Sequence, residues 1–446
     1  MKKLKATNYQ LMNVANKRTF KDSGWMLCDP DYNQESFIRT IFKKKQIDIK
    51  DDSYGLYKYT DWLPIHRTLK GSCAPQTYKS KGLAEYLGLS NLYITFSGYW
   101  PKIGARMETC SFKETEAYSV CGRLAAKGKD FMTKTGQQKI LVVASAGNSA
   151  RAFAKVCSEN NIPLLLFVPE DYTNSLWFKK PIKDCVKLIS TPSGTDYFDA
   201  INLSNIVCGE SDLFLNEGGA KNVARRDGMG TTVISATAKI GHLPDVYFQG
   251  IGSGTGTIAA WEAAIRLIDD GRFGNKMMKL IPSQNIPFTP MYDAWNKDSR
   301  TLEKMDTDNA RKRSCLIDSL VLGNRKPPYG ITGGVYDALK DTKGDIEIAT
   351  NDDIKIYSKI FLDTEGIDIH PAAAVAVKSV VSALKHGTIH KDDCIMINIT
   401  GGGEKLFKKE HEIHFLKPNL IISTEEKVDI IMENIRNIFD IHKNCS

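Results

Sequence analysis

The sequence predicts an α/β protein whose parallel sheets are covered by helices, and two observations predict it. Residues 140–144, 163–169, 185–189, 245–250 and 394–399 are short, continuous apolar runs bounded by polar or glycine-rich turns, which is how strands buried on both faces read. Between them lie segments with apolar residues at helical spacing, and strands alternating with helices form βαβ units. The length of 446 residues, with 42% hydrophobic and 25% charged, is ordinary globular composition and allows two or three domains with a sizeable core.

Residues 1–60 are polar and rich in Lys and Asp, with a helical hint over 35–42, and read as an N-terminal arm packed on the main body. Residues 71–78 read as a loop, 81–87 as a short helix and 91–96 as a strand that feeds the turn Thr109, Cys110, Ser111, Phe112, Lys113. After that turn Ala117, Val120, Cys121, Leu124 and Ala125 recur at helical spacing, so Lys113 stands at a helix N-terminus. The run 140–144 leads through a turn into a helix over 150–159, and strands follow at 163–169 and 185–189. A helix is expected to start within 225–232 and continue to 239. Strand 245–250 ends on a glycine loop with a helix over 258–268 behind it. Prolines and charges weaken the pattern over 275–326, which suggests long surface connections. Pattern returns at 333–339, in a helix over 370–377 with Pro371 in its first turn, and in strand 394–399 before a last glycine turn. An amphipathic helix is expected over 425–439.

The formal net charge of +8 suits anionic ligands, but the basic residues are scattered among acidic ones with no basic run and interleaved aromatics. Nucleic acid is therefore not an expected partner. Ten cysteines never form a Cys-x-x-Cys pair, so no zinc ribbon, dithiol motif or other metal site is expected. Met1 to Lys5 has a basic start without an apolar stretch behind it, and no run reaches membrane-spanning length. A reducing cytoplasm is the expected compartment.

Four turns carry the chemistry. Lys113 lies between an apolar strand and an amphipathic helix, where partial burial keeps an amine neutral enough to attack a carbonyl. Ser145, Ala146, Gly147, Asn148 and Ser149 form a strand-to-helix turn whose amides suit a carboxylate, with the Asn148 amide free for a ring hydroxyl. Gly252, Ser253, Gly254, Thr255 and Gly256 join a strand to a helix, the arrangement that aims backbone amides at a phosphate. They lack both the acidic residue of a dinucleotide fingerprint and the Lys-Ser/Thr ending of a nucleotide loop. Thr400 precedes three glycines, where its hydroxyl is a neutral partner for a pyridine nitrogen. A lysine that forms an imine, beside amides that hold a phosphate, is the chemistry of pyridoxal 5′-phosphate.

With these residues assembled, the chain resembles the pyridoxal-phosphate enzymes of the tryptophan synthase β family, and within it the threonine synthase-like branch. Ser111-Phe112-Lys113 matches the Schiff-base lysine motif, Ser145 to Ser149 the asparagine loop, Gly252 to Gly256 the phosphate loop, and Thr400-Gly401-Gly402-Gly403 the terminal turn; Glu365-Gly366-Ile367 matches the family's entry to a later helix. Glu114 follows the lysine where threonine synthases usually have Asp. The resemblance implies two domains, each an open, mostly parallel sheet covered by helices (fold type II). The larger, holding the cofactor, comprises 61–115 and 236–446, and the smaller, mobile and substrate-binding, 116–235.

The resemblance implies a homodimer and β-replacement, with Lys113 as imine former and general base. A narrower resemblance, carried by 97–101, 108–114, 224–231, 252–256, 259–263 and 333–339, implies replacement of the phosphate of O-phospho-L-serine by sulfite. Threonine formation from O-phosphohomoserine, a cysteine synthase-like replacement and a catalytically silent binder are the alternatives. Arg106, Lys102 and Arg151 are the basic residues close in sequence to the site and the candidates for the two anions.

Overall fold

The computed structural model describes residues 7–50, 54–124, 132–133 and 136–440. Met1 to Lys5, Ala125 and Cys445 lie outside the described residues.

Two parallel sheets carry the chain. The larger has six strands in the order Glu347–Ala349, Lys279–Asn285, Val246–Gly250, Ile395–Ile399, Leu92–Phe96 and Gln76–Lys79. All neighbours are parallel except the last pair. The smaller has five parallel strands in the order Phe214–Asn216, Ile140–Ala144, Leu164–Pro169, Val186–Thr191 and Leu420–Ile421.

Alternation along each strand splits its side chains between two cores. Val246, Phe248, Ile281, Ile395 and Ile397 pack with the helix Pro371–Lys385 on one face. Tyr247, Leu280 and Met396 pack on the other with the helices Val223–Ile240 and Thr255–Asp270. This second core also takes Leu141, Val143, Leu164 and Leu166 from one face of the smaller sheet, so apolar packing runs unbroken between the sheets. The opposite face of the smaller sheet packs on helices Tyr197–Glu210 and Val428–Ile438.

Four expectations change. Residues 35–42 are not helical: Ile38–Phe42 is a strand paired antiparallel with Tyr9–Asn13, and its alternating burial and β-branched residues fit a pleat. The end of the expected loop over 71–78 joins the strand Gln76–Lys79. The stretch 275–326 contains the strand Lys279–Asn285, inside the larger sheet. The division expected at 235 and from 236 to 446 also shifts. The helix Val223–Ile240 crosses the first boundary and packs along Thr255–Asp270, while the tail returns to the smaller sheet through Leu420–Ile421. No helix among the described residues is long and apolar enough to cross a membrane.

Candidate active site

Lys113 opens the helix Lys113–Leu124. The turn before it is fixed by the terminal glycine turn: the Phe112 N–H donates to the Thr400 carbonyl at 2.9 Å, and the Gly402 N–H to the Cys110 carbonyl at 3.1 Å. Gly401 has no room for a side chain, because a Cβ there would stand 2.3 Å from His370 Nδ1 and 2.7 Å from the Cys110 carbonyl. Cys110 itself adopts a left-handed backbone with φ 51°, a conformation costly for a residue with a Cβ and held by these surroundings.

A cavity of about 110 Å³ lies where the strands of the larger sheet end. Its wall brings together Lys113, Ser145, Ala146, Asn148, Ser149, Gly252, Ser253, Gly254, Thr255, Gly256 and Thr400, from four separate parts of the chain. Gly147 stands behind the wall with φ 134°, where a Cβ would meet Ser175 Oγ at 2.6 Å. Its permissive backbone turns strand into helix. The glycine loop stands at the N-terminus of Thr255–Asp270. Gly254 is left-handed with φ 73°, and a Cβ on Gly252 would stand 2.9 Å from Leu322 Cα and the Val321 carbonyl. The loop therefore offers backbone amides and a helix dipole with little side-chain bulk.

The lysine end of the cavity is built from buried charge. Lys113 Nζ donates to Glu116 Oε2 at 3.1 Å, one helical turn on, and Ser149 Oγ donates to Glu116 Oε1 at 2.5 Å. Arg225 Nη1 lies 3.4 Å from the same Oε1, while its Nε donates to Glu217 Oε1 at 2.8 Å. Burial pushes the Lys113 amine below its ordinary pKa, against the opposing pull of Glu116. Burial also works against the Glu116 carboxylate, but Arg225, Lys113 and the Ser149 hydroxyl outweigh it and hold the group below its ordinary value. An amine whose pKa is lowered by burial, beside a carboxylate held below its ordinary value, is suited to accept a proton and give it back.

Of the three basic residues expected to meet anions, none lines this cavity. Lys102 and Arg106 are exposed, on the turn Pro101–Ile103 and the strand Ala105–Arg106. Arg151 is buried: Nε and Nη2 donate to the Thr109 carbonyl at 3.2 and 2.8 Å, and Nη2 donates to Asn148 Oδ1 at 3.0 Å. Its guanidinium lies over the Trp177 ring, 4.1 Å from the centroid. It braces the lysine turn and orients Asn148. The arginine that does line the cavity, Arg225, lies within the stretch 224–231 that carries the narrower resemblance, without having been singled out as a site residue. Glu116 had a legible signal, its i, i+3 spacing from Lys113. His370 also lines the wall, within the stretch begun by Glu365-Gly366-Ile367 but not singled out there, and Gln249 and Tyr197 line it without any such signal.

The protein family described as "Pyridoxal-phosphate dependent enzyme" matches residues 86–401. The chain belongs to the pyridoxal-phosphate dependent enzymes, and its cofactor is pyridoxal 5′-phosphate. It is 44% identical to the cysteate synthase of Methanocella paludicola over 96% of each chain. It is 40% identical to that of Methanosarcina barkeri, over 96% of this chain and 99% of the relative. Among solved structures, serine racemase from Dictyostelium discoideum shares the fold with a TM-score of 0.50 at 16% identity, over 73% of this chain and 91% of that one. Threonine deaminase isoform 2 from Solanum lycopersicum does so with a TM-score of 0.52 at 16% identity, over 75% and 86%.

The residues present fit this cofactor. The bulk-free cradle at Gly252 and Gly254 suits a phosphate, the part-buried Lys113 has its amine pKa lowered, which favours the nucleophilic form, and Asn148 and Thr400 line the same cavity with polar side chains.

Proposed function

We propose that this protein is a cysteate synthase, which replaces the phosphate of O-phospho-L-serine with sulfite to give L-cysteate and inorganic phosphate. The near full-length identity to cysteate synthases carries the reading, and a depressed lysine on a cavity with an anion cradle supports it. When bound, the cofactor supplies an electron sink for the pair left behind as the substrate α-proton departs. The amides of Gly252 to Gly256 would hold the cofactor phosphate. Thr400, a neutral hydroxyl, would serve the ring nitrogen, and Asn148 the ring hydroxyl. The amides of Ser145 to Ser149 take the substrate carboxylate.

Lys113 as free amine removes the α-proton and Glu116 stabilises the ammonium so formed. Phosphate leaves from the β-carbon with the C–O bonding pair. The sulfur lone pair of sulfite then forms the C–S bond there, and Lys113 returns its proton to the α-carbon. Arg225 is the cavity cation nearest this chemistry, and we assign it the anions that Lys102, Arg106 and Arg151 were expected to hold.

Incubation of phosphoserine with sulfite should give cysteate and phosphate by mass. Threonine from O-phosphohomoserine and water, with no cysteate formed, would overturn the assignment. The same reading includes a homodimer, a cytoplasmic location and a product destined for sulfonate biosynthesis such as that of coenzyme M. Light scattering of the purified protein tests the dimer.

A further inference from the structure

Glu108 and Thr109 precede the catalytic lysine closely in sequence, yet neither lines the active-site cavity. Both line a second cavity behind the turn, of about 380 Å³. We propose that this second cavity is an anion site that takes a small phosphate- or sulfonate-bearing molecule.

Its wall carries five lysines, Lys70, Lys155, Lys179, Lys180 and Lys183, against two glutamates, over a floor that includes Phe178. Lys155 is buried and committed to the protein: its Nζ donates to the Gly71 carbonyl at 3.0 Å, to the Tyr118 hydroxyl at 2.9 Å and to Glu114 Oε2 at 3.3 Å. Lys179 makes a half-exposed pair with Glu108 at 3.3 Å, which an incoming anion can open at small cost. Lys70, Lys180 and Lys183 are exposed at the rim, leaving a concave surface with excess positive charge. Such a surface concentrates anions, and lysine ammonium groups are ordinary phosphate partners.

Thr109 closes the inner end of this cavity. It is 2% exposed, and the Glu114 carboxylate is the group beside both its N–H and its hydroxyl. The volume lies within the range of small-molecule sites and exceeds that of the active-site cavity.

The position connects the two cavities. The Thr109 N–H donates to Glu114 Oε1 at 2.6 Å, and its carbonyl accepts from Arg151, which also holds Asn148. The same residue thus forms a wall of the second cavity and is braced by the arginine that orients a residue of the first.

The test is calorimetric titration of the holoenzyme with pyrophosphate, comparing wild type with Lys179→Gln/Lys180→Gln. These two lysines lie outside the proposed catalytic groups, so turnover without pyrophosphate should be unchanged. The expected result is loss of one bound pyrophosphate per chain, or at least about tenfold weaker binding, since each lost ion pair to a multiply charged ligand is worth a kcal/mol or more. Lys183→Gln, at another exposed lysine of the wall, should weaken the same binding event while melting within a few degrees of wild type. Superimposable isotherms for wild type and the double lysine variant would overturn the proposal. Competition then names the source: displacement by inorganic phosphate or L-cysteate assigns the site to the reaction's own products, and resistance to both assigns it to a larger phosphorylated molecule. The site rests on the cavity alone; only this last arm rests on the proposed reaction.

Discussion

The two ends of the active-site cavity are built from different materials. The glycine-loop end is backbone: Gly252 and Gly254 clear space at the start of Thr255–Asp270, within a few residues of sequence. The lysine end is side-chain charge, in which Lys113, Glu116, Arg225 and Glu217 alternate in sign while coming from two distant helices and a loop. A backbone site needs permissive residues in one short stretch and tolerates little added volume. A charge network needs every member, because removing one leaves its partner buried and uncompensated.

The sharpest way to break the comparison is at the lysine. Lys113→Ala should lower kcat by about 10³-fold or more and abolish the visible absorbance of the lysine-bound cofactor, with the fold retained by circular dichroism. Retained colour and turnover would remove Lys113 from the mechanism. Next comes Arg225→Gln, which leaves Glu217 buried without its cation; a loss of about 3–5 kcal/mol is expected in denaturant unfolding. If Arg225→Gln melts like wild type, the network contributes no stability.

Gly252→Ala should act only on the other end. The added Cβ, 2.9 Å from Leu322 Cα and the Val321 carbonyl, should weaken cofactor affinity by about 10–100-fold, corresponding to strain of about 1–3 kcal/mol. kcat at saturating cofactor should change little. The smallest effect concerns Glu116→Gln. The carboxylate favours the protonated form of Lys113, so its loss should lower the lysine pKa further. Cofactor capture by the apoenzyme, which needs the neutral amine, should then keep its rate to a lower pH than in wild type. An acid limb that stays in place, or moves to higher pH, would show that Glu116 does not tune the lysine.

This difference in materials also explains what the sequence made legible. The glycine turns at 252–256 and 401–403 and the strand-to-helix junctions are local patterns, and the structure brings all four site turns to one cavity. Arg225 was not legible as a cavity residue, because its role depends on Glu217 and Glu116 approaching through tertiary structure. Lys102 and Arg106 show the converse: nearness to the lysine in sequence placed neither on the cavity. Strand Lys279–Asn285 was hidden for a third reason. Its polar end is buried by satisfied hydrogen bonds, with Gln284 Oε1 accepting from the amides of Met291 and Tyr292, and Asn285 Nδ2 donating to the Ala349 carbonyl. Polar residues with dedicated partners inside a sheet look like a loop until the partners are known.

The tail that returns through Leu420–Ile421 bears on how the two sheets can move. The chain passes between them after Lys113–Leu124, again before Val223–Ile240, and a third time beyond Glu404–Glu410. Two passages would act as a hinge with an axis through both. A third passage adds a further tie, since Leu420–Ile421 is hydrogen-bonded into the smaller sheet beside Val186–Thr191, and it would restrict any relative displacement of the two sheets. Much of the ordering entropy of closing on a substrate would then be lost once, on folding, instead of at every turnover.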